Sequence, residues 1–246
     1  MTDLIDLAGK TVIVTGASSG IGAATARRLH AAGAHPVLAA RRADRLTSLA
    51  AELDGALAVP TDVTNPGQVA ALVSATLDRH GRIDGLVNNA GAGLHGPLDQ
   101  VAAADFAKTL QLNVVSLLAV TQAVLPTMRA QGFGRIVNVS SGTTRRAAVG
   151  VGAYAASKSA VNMLSAVLTK ELEPDGIAVS LLLPSITATE FADGRFVLGA
   201  SPRPGMVVQS PEYVARVILR LLRTGEESFD IPHGVEQSEV TQVPGA

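Results

Sequence analysis

The feature that most constrains the fold is an alternation. Short runs of continuously apolar, β-rich residues take turns with segments of helical period. Thr11–Thr15, His35–Ala40, Ala56–Pro60, Leu86–Asn88, Arg135–Ser140 and Ile177–Leu183 read as strands, with Ser228–Ile231 a last short one. Between them, stretches near Ile21–Ala32, Ala43–Leu53, Pro66–His80, Ala103–Arg129, Tyr154–Glu173 and Pro211–Thr224 read as helices. Gly33 closes the first helix, Pro66 suits the start of the third, and Pro174-Asp175-Gly176 stops the fifth. A run such as Thr11-Val12-Ile13-Val14-Thr15 has no alternating polar face. Both sides must therefore be covered, as in a parallel sheet with helices on each face. Repeated β-α units with short connections predict a doubly wound α/β fold with seven parallel strands. No repeat or low-complexity linker interrupts the pattern, so residues 1–246 read as one domain. The tail after Pro232 is polar and without periodicity.

Composition narrows the function. With 20 basic and 21 acidic residues, the chain has no basic stripe with which to displace counterions from nucleic-acid phosphates or to hold an anionic membrane. It has no cysteine, which removes disulfides, thiolate catalysis and Cys-based zinc sites. Its five histidines, at 30, 35, 80, 95 and 233, lack ligand spacing, so no metal site is expected. Met1-Thr2-Asp3-Leu4-Ile5-Asp6 carries acids where a signal peptide carries bases, and no uninterrupted apolar stretch of about 18 residues occurs. A cytoplasmic protein without a membrane span is expected.

Thr15-Gly16-Ala17-Ser18-Ser19-Gly20-Ile21-Gly22 lies between the first strand and the first helix. In a doubly wound fold this is where a dinucleotide pyrophosphate is held. Side chains at Gly16, Gly20 or Gly22 would obstruct the tight turn or the helix-on-strand packing, and the helix start aims free N–H groups at an anion. An ordinary strand-to-helix turn is the alternative. About 20 residues beyond such a turn an acid binds a free ribose hydroxyl, whereas an arginine accepts a 2′-phosphate. Here the second strand ends Leu38-Ala39-Ala40-Arg41-Arg42, with guanidinium groups and no carboxylate. Arg41 and Arg42 suit a phosphate dianion and favour NADP(H) over NAD(H). The alternative is a solvated helix entrance.

Tyr154-Ala155-Ala156-Ser157-Lys158 puts a phenol and an ammonium at i and i+4, on one helix face with Cβ atoms roughly 6 Å apart. Tyrosine ordinarily titrates at about 10, and lowering that by about 3 units takes roughly 4 kcal/mol. A positive charge about 4 Å away supplies a comparable amount at an effective dielectric of about 20. Lys158 alone is thus expected to make the phenol an acid–base group. An amphipathic helix with a surface lysine is the alternative for this pair taken in isolation.

Taken together, these motifs resemble the short-chain dehydrogenase/reductase family over almost the whole chain. Thr15–Gly22 matches its Thr-Gly-x-x-x-Gly-x-Gly, and Asp62-Val63 matches its adenine-contact pair after the third strand. Asn88-Asn89-Ala90-Gly91 matches the signature after the fourth strand, and Asn113 stands where the family has a helix asparagine. Ser140-Ser141 ends the fifth strand, with Ser141 thirteen residues before Tyr154. The resemblance implies a Rossmann-type domain with a cofactor half over about 1–140 and a catalytic and substrate half over about 141–246. It implies that Tyr154 exchanges a proton with the substrate oxygen, that Ser141 hydrogen-bonds that oxygen, that Lys158 holds the nicotinamide ribose, and that Asn113 anchors a water leading to Lys158. It further implies cofactor contacts from Ser18, Ser19, Ile21, Asn89, Ala90, Gly91, Pro184, Ile186 and Thr189. Asp62 as a turn cap, Asn113 as an internally satisfied helix residue and Ser140 as a structural hydroxyl are the alternatives.

Where the family reads Pro-Gly after the sixth strand, this chain reads Pro184-Ser185-Ile186-Thr187-Ala188-Thr189. Ser185 thus alters the local backbone or a substrate contact. Residues 189–210 resemble a substrate lid, and its Phe191, Phe196, Val197, Leu198 and Met206 suggest an apolar pocket wall. His95, Thr143, Phe191 and Phe196 are the candidate substrate contacts. The resemblance implies a homodimer or homotetramer built on the helices around Tyr154 and 103–129. The Ile231–Glu236 ending departs from the family's Asp-Gly-Gly close, which leaves a second interface there open. The expected activity is NADP(H)-dependent interconversion of a carbonyl and an alcohol. The alternatives are an NADP(H)-sensing binding protein, or a dehydratase or epimerase on the same scaffold.

Overall fold

A computed structural model describes residues 4–191 and 207–231. Fourteen of its elements carry the fold: β1 (Thr11–Thr15), α1 (Gly20–Ala31), β2 (His35–Ala40), α2 (Ala43–Glu52), β3 (Leu57–Pro60), α3 (Pro66–His80), β4 (Gly85–Asn88), α4 (Ala103–Leu110), α5 (Ser116–Gln131), β5 (Gly134–Val139), α6 (Gly152–Leu172), β6 (Ile177–Leu183), α7 (Pro211–Thr224) and β7 (Ser228–Asp230). The strands form one seven-stranded sheet in the order β3-β2-β1-β4-β5-β6-β7. Every pairing between neighbours is parallel. The order reverses between β1 and β4, which opens a crevice at the carboxyl ends of those strands, where doubly wound folds bind ligands.

The apolar runs behave as expected of strands buried on both faces. Val12 and Val14 join a core with Leu29 of α1, Leu46 of α2 and Ile218 of α7. Ile13 between them joins a second core with Leu72 of α3, Val124 of α5 and Leu172 of α6. Each fully buried aliphatic side chain stabilises the fold by about 1.5–3 kcal/mol, so a polar residue at Ile13, which is 0 % exposed, would break the second core.

Helix ends follow local chemistry. Asn65 caps α3 by accepting from the Gly67 and Gln68 amides, with Pro66 in the first turn and Gly81 left-handed at the far end. Ser210 caps α7 in the same way, followed by Pro211 and closed by Gly225. The predicted helix 103–129 is interrupted: a five-residue π-turn, Gln111–Val115, separates α4 from α5. The whole run Ala103–Gln131 is long and apolar enough, by length and composition, to cross a membrane, although no uninterrupted apolar stretch of that length occurs. Here its buried face packs against α3, α6, β4 and β5.

Candidate active site

At the switch point the carboxyl ends of β1, β4, β5 and β6 surround a cleft of about 990 Å³. That is at the upper end for small-molecule clefts, about 300–1,000 Å³. Its floor is the β1–α1 turn. A Cβ added to Gly22 would lie 2.4 Å from the Gly16 carbonyl oxygen, and one on Gly16 would lie 2.9 Å from Asn89 Nδ2. Gly16 and Gly20 are also left-handed, at φ 67° and 53°. The turn is sewn to the β4 end by two side chains. The Thr15 hydroxyl donates to Val87 O and accepts from the Asn89 and Ala90 amides. Asn89 Nδ2 donates to Thr15 O at 3.0 Å. Helix α1 has no side-chain cap, because the Ser19 hydroxyl turns to Arg42 instead. Its first amides are therefore left to the cleft.

The tip of β2 forms one side wall. Arg42 donates through Nε and Nη2 to Ser18 Oγ, at 3.0 and 2.9 Å, and through Nη2 to Ser19 Oγ at 2.7 Å. Its Nη1 meets Glu190 Oε2 at 2.8 Å, and Arg45 meets Glu190 Oε1 at 2.6 Å. Arg41 lines the same wall. Asp62 and Val63 line it too. The Asp62 carboxylate accepts from the Thr64 amide and hydroxyl at 2.9 and 2.7 Å, which holds its pKa below the ordinary value. The capping alternative for Asp62 and its cleft position are therefore both realised.

The opposite wall carries the Tyr154–Lys158 pair. Tyr154 and Lys158, on α6, are buried and line the cleft. Ser141, which sits just past β5, lines the cleft with Tyr154, and its hydroxyl acts to lower the pKa of the phenol. Thr143 holds Ser141 in place, donating to its Oγ from the amide at 3.2 Å and from the hydroxyl at 3.0 Å. Lys158 Nζ donates to Val139 O at 2.8 Å. The π-turn swings Asn113 inward. Its Nδ2 donates to Ala92 O and Ser157 Oγ, and its Oδ1 accepts from the Ala92 amide. Gly91 lies between the two polar groups: a Cβ there would sit 3.1 Å from Asn113 Oδ1 and 3.6 Å from Lys158 Nζ.

The electrostatic expectation needs correction. Burial pushes the Tyr154 phenol up to about 12, opposed by the Ser141 hydroxyl, while burial lowers Lys158 to about 8. From the protein's own groups alone, Lys158 does not depress the phenol. A low-dielectric wall disfavours both charges, and among the described residues the ammonium donates to a neutral carbonyl.

Pro184, Ile186, Thr189, His95, Thr143 and Phe191 also line the cleft. The His95 and Phe191 rings lie 6.2 and 5.6 Å from the Tyr154 ring, centre to centre. Ser185 is buried beside them. Phe196 and most of the 189–210 segment, Val197, Leu198 and Met206 included, lie outside the described residues, as does the tail after Pro232.

Comparison with known proteins agrees with this arrangement. The family described as short chain dehydrogenase matches residues 10–196. The chain belongs to the short-chain dehydrogenase family. An uncharacterized oxidoreductase of Staphylococcus haemolyticus is 35% identical over 98% of this chain and all of its own length. Among solved structures, a 3-ketoacyl-(acyl-carrier-protein) reductase from Brucella melitensis complexed with NADH superposes with TM-score 0.86 at 27% identity, covering 93% of this chain and 98% of that one. A short-chain dehydrogenase from Streptomyces avermitilis superposes with TM-score 0.80 at 30% identity, covering 91% and 88%.

This short-chain dehydrogenase is thus an oxidoreductase of a family that works with a nicotinamide cofactor. The residues present fit that group: a glycine cradle that any Cβ would fill, an uncapped helix start, and hydroxyls and guanidinium groups along one wall. Sequence reasoning did not single out Thr15, Ser157, Arg45 or Glu190. Ser157 was within reach, since it lies inside the Tyr154–Lys158 spacing; its hydroxyl ties Asn113 to the Tyr154 carbonyl.

Proposed function

We propose that this enzyme interconverts a carbonyl and an alcohol with NADP(H), Tyr154 exchanging the proton. The observation that carries this reading is the pairing of two hydroxyls at the inner end of the dinucleotide cleft: Tyr154 and Ser141 both line it, and the Ser141 hydroxyl acts to lower the pKa of the phenol. A carbonyl oxygen set between them would accept from both. With its pKa near 12, Tyr154 is protonated at neutral pH, the form that gives a proton to the forming alkoxide. When bound, the nicotinamide supplies the hydride and, in its oxidised form, a positive charge. Lys158 stands one helical turn from Tyr154, positioned for the ribose, and Asn113 holds the Ala92 backbone against α6.

The choice of the phosphorylated dinucleotide rests on Arg41 and Arg42 at the β2 tip, with Ser18 and Ser19 beside them. The substrate reading is an apolar ketone or aldehyde, given Phe191 at the rim of the cleft. Val149, 97 % exposed, extends that rim. Assembly as a homodimer or homotetramer is supported by the exposed Met163 and Val167 on α6 and Val115 in the π-turn.

Tyr154→Phe tests the mechanism. Turnover is expected to fall by about 10²–10⁴, with reduced-dinucleotide binding, read by its fluorescence, unchanged. Turnover within tenfold of wild type would refute the assignment. A carbonyl and alcohol panel run with NADPH and NADH tests the cofactor reading, which preference for NADH would overturn; no turnover with any substrate would favour a sensing role.

A further inference from the structure

The wall built by Arg42, Arg45, Ser18 and Ser19 already holds an anion, and that anion is part of the chain. Glu190 divides its carboxylate between two guanidinium groups, 2.8 Å from Arg42 and 2.6 Å from Arg45. The two arginines hold its pKa at about 2, so it is charged at any physiological pH. Two guanidinium groups and two hydroxyls are the donor set a phosphate dianion takes. Residues 24 and 23 positions before Arg42 supply the hydroxyls, whereas Glu190 arrives from 148 positions away, past β6.

Its neighbours tie this contact to the rest of the site. Thr189 sits over the phosphate turn, its Cγ2 3.0 Å from where a Gly20 Cβ would stand. Phe191 packs on the ring of Tyr154. Three consecutive residues thus connect the pyrophosphate turn, the arginine wall and the proton donor.

We propose that Glu190 is an internal competitor for the cofactor's 2′-phosphate: a phosphorylated dinucleotide must displace its carboxylate from Arg42 and Arg45, an unphosphorylated one need not, and the displacement moves Phe191 relative to Tyr154. This rests on the reading of the β2 tip as a 2′-phosphate site and adds Arg45 and Glu190 to it as specificity-determining residues. The competition is modest in size, because the ion pairs are half-exposed. Half-exposed ion pairs are weak, so removing Glu190, which breaks two of them, should tighten a 2′-phosphate ligand by about two- to thirtyfold.

The test is calorimetric titration of the full chain with adenosine 2′,5′-bisphosphate and with adenosine 5′-monophosphate, in wild type, Glu190→Gln and Arg42→Met. The expected result is tighter bisphosphate binding in Glu190→Gln, monophosphate binding within twofold of wild type, and loss of the bisphosphate preference in Arg42→Met. If Arg42→Met removes the preference but Glu190→Gln leaves it unchanged, the competition is overturned and the phosphate site stands. If Arg42→Met leaves the preference unchanged, the phosphate site itself fails, and the competition with it. Movement of the segment has its own readout. The chain contains no tryptophan, so Phe191→Trp introduces a lone indole beside Tyr154. Its emission should shift with the bisphosphate and not with the monophosphate; equal responses, or none, would overturn the coupling.

Discussion

Strands β1 and β4 carry a buried polar cluster at each end, and the two clusters obey opposite rules. At the amino ends, Asp84 is 2 % exposed and fully partnered. It accepts from Arg82 Nε and Nη2 at 2.7 and 2.5 Å and from the Thr11 amide at 2.9 Å, with Lys10 at 3.7 Å. Burial alone would raise its pKa, but the guanidinium, the amide and the lysine outweigh that and hold it below the ordinary value. At the carboxyl ends, Lys158 is 5 % exposed and donates to the Val139 carbonyl; burial wins and its pKa falls to about 8. The first cluster matches charge with charge and locks two strands together. The second leaves charge unmatched, which destabilises the apoprotein and suits a site that moves protons beside a charged ligand.

The largest expected effect lies at the matched end. Asp84→Leu removes the acceptor of Arg82 and leaves the buried Thr11 amide unpaired, so unfolding free energy should drop by about 3–5 kcal/mol. Urea denaturation measures it, and a loss under 1 kcal/mol would break the contrast. The pH dependence has a definite sign. Because the folded pKa of Asp84 is depressed, its contribution is fully present above the unfolded carboxylate value of about 4 and is lost as pH falls through the lower folded value.

At the unmatched end the sign reverses. Lys158 has a folded pKa of about 8, against about 10.4 unfolded. Below pH 8 both states carry the proton and the folded state bears the full penalty of the buried charge. Between about 8 and 10.4 the native state sheds the proton first, so stability should rise by up to about 3 kcal/mol. Lys158→Met should therefore be more stable than wild type at pH 7, with the gap closing toward pH 10, while turnover falls. The scan stops there because Tyr154, raised to about 12, acts in the opposite sense above its unfolded value. A variant less stable at pH 7, with a gap that does not narrow, would show that the ammonium is matched after all.

What the sequence made legible was local. The glycine turn, the Tyr154–Lys158 spacing, the start of α3 at Pro66 and the strand alternation each sit within a few residues, where sterics and periodicity decide. Of the positions named as catalytic or cofactor-binding, all but Asn113 and Gly22 line one cleft. Contacts made by tertiary folding stayed hidden. Nothing in the composition of Gln111–Val115 marks a π-turn, because its apolar spacing continues the helical pattern on both sides. Glu190 meets Arg42 across the sheet from a segment read only as a lid, and Asp84 meets Thr11 from 73 positions away. The Lys158–Tyr154 electrostatics failed for the same reason: spacing gives proximity, but burial sets which charge survives.

The smallest effect sharpens the contrast most, because it holds geometry fixed. Arg27 reaches Glu52 with Nε and Nη2 at 2.6 and 2.8 Å, nearly the distances of Arg82 on Asp84. Arg82 and Arg27 are about equally exposed, 47 % and 49 %, but Glu52 is 50 % exposed where Asp84 is 2 %. Water solvates both Glu52 and Arg27 when the pair is broken, and salt screens it when it is made. Glu52→Gln should therefore change stability by only about 0.2–1 kcal/mol, and less at high salt. Equal losses from Asp84→Leu and Glu52→Gln would mean that the fork of hydrogen bonds, and not the burial of the carboxylate and its hold on the Thr11 amide, sets the strength of the amino-end cluster.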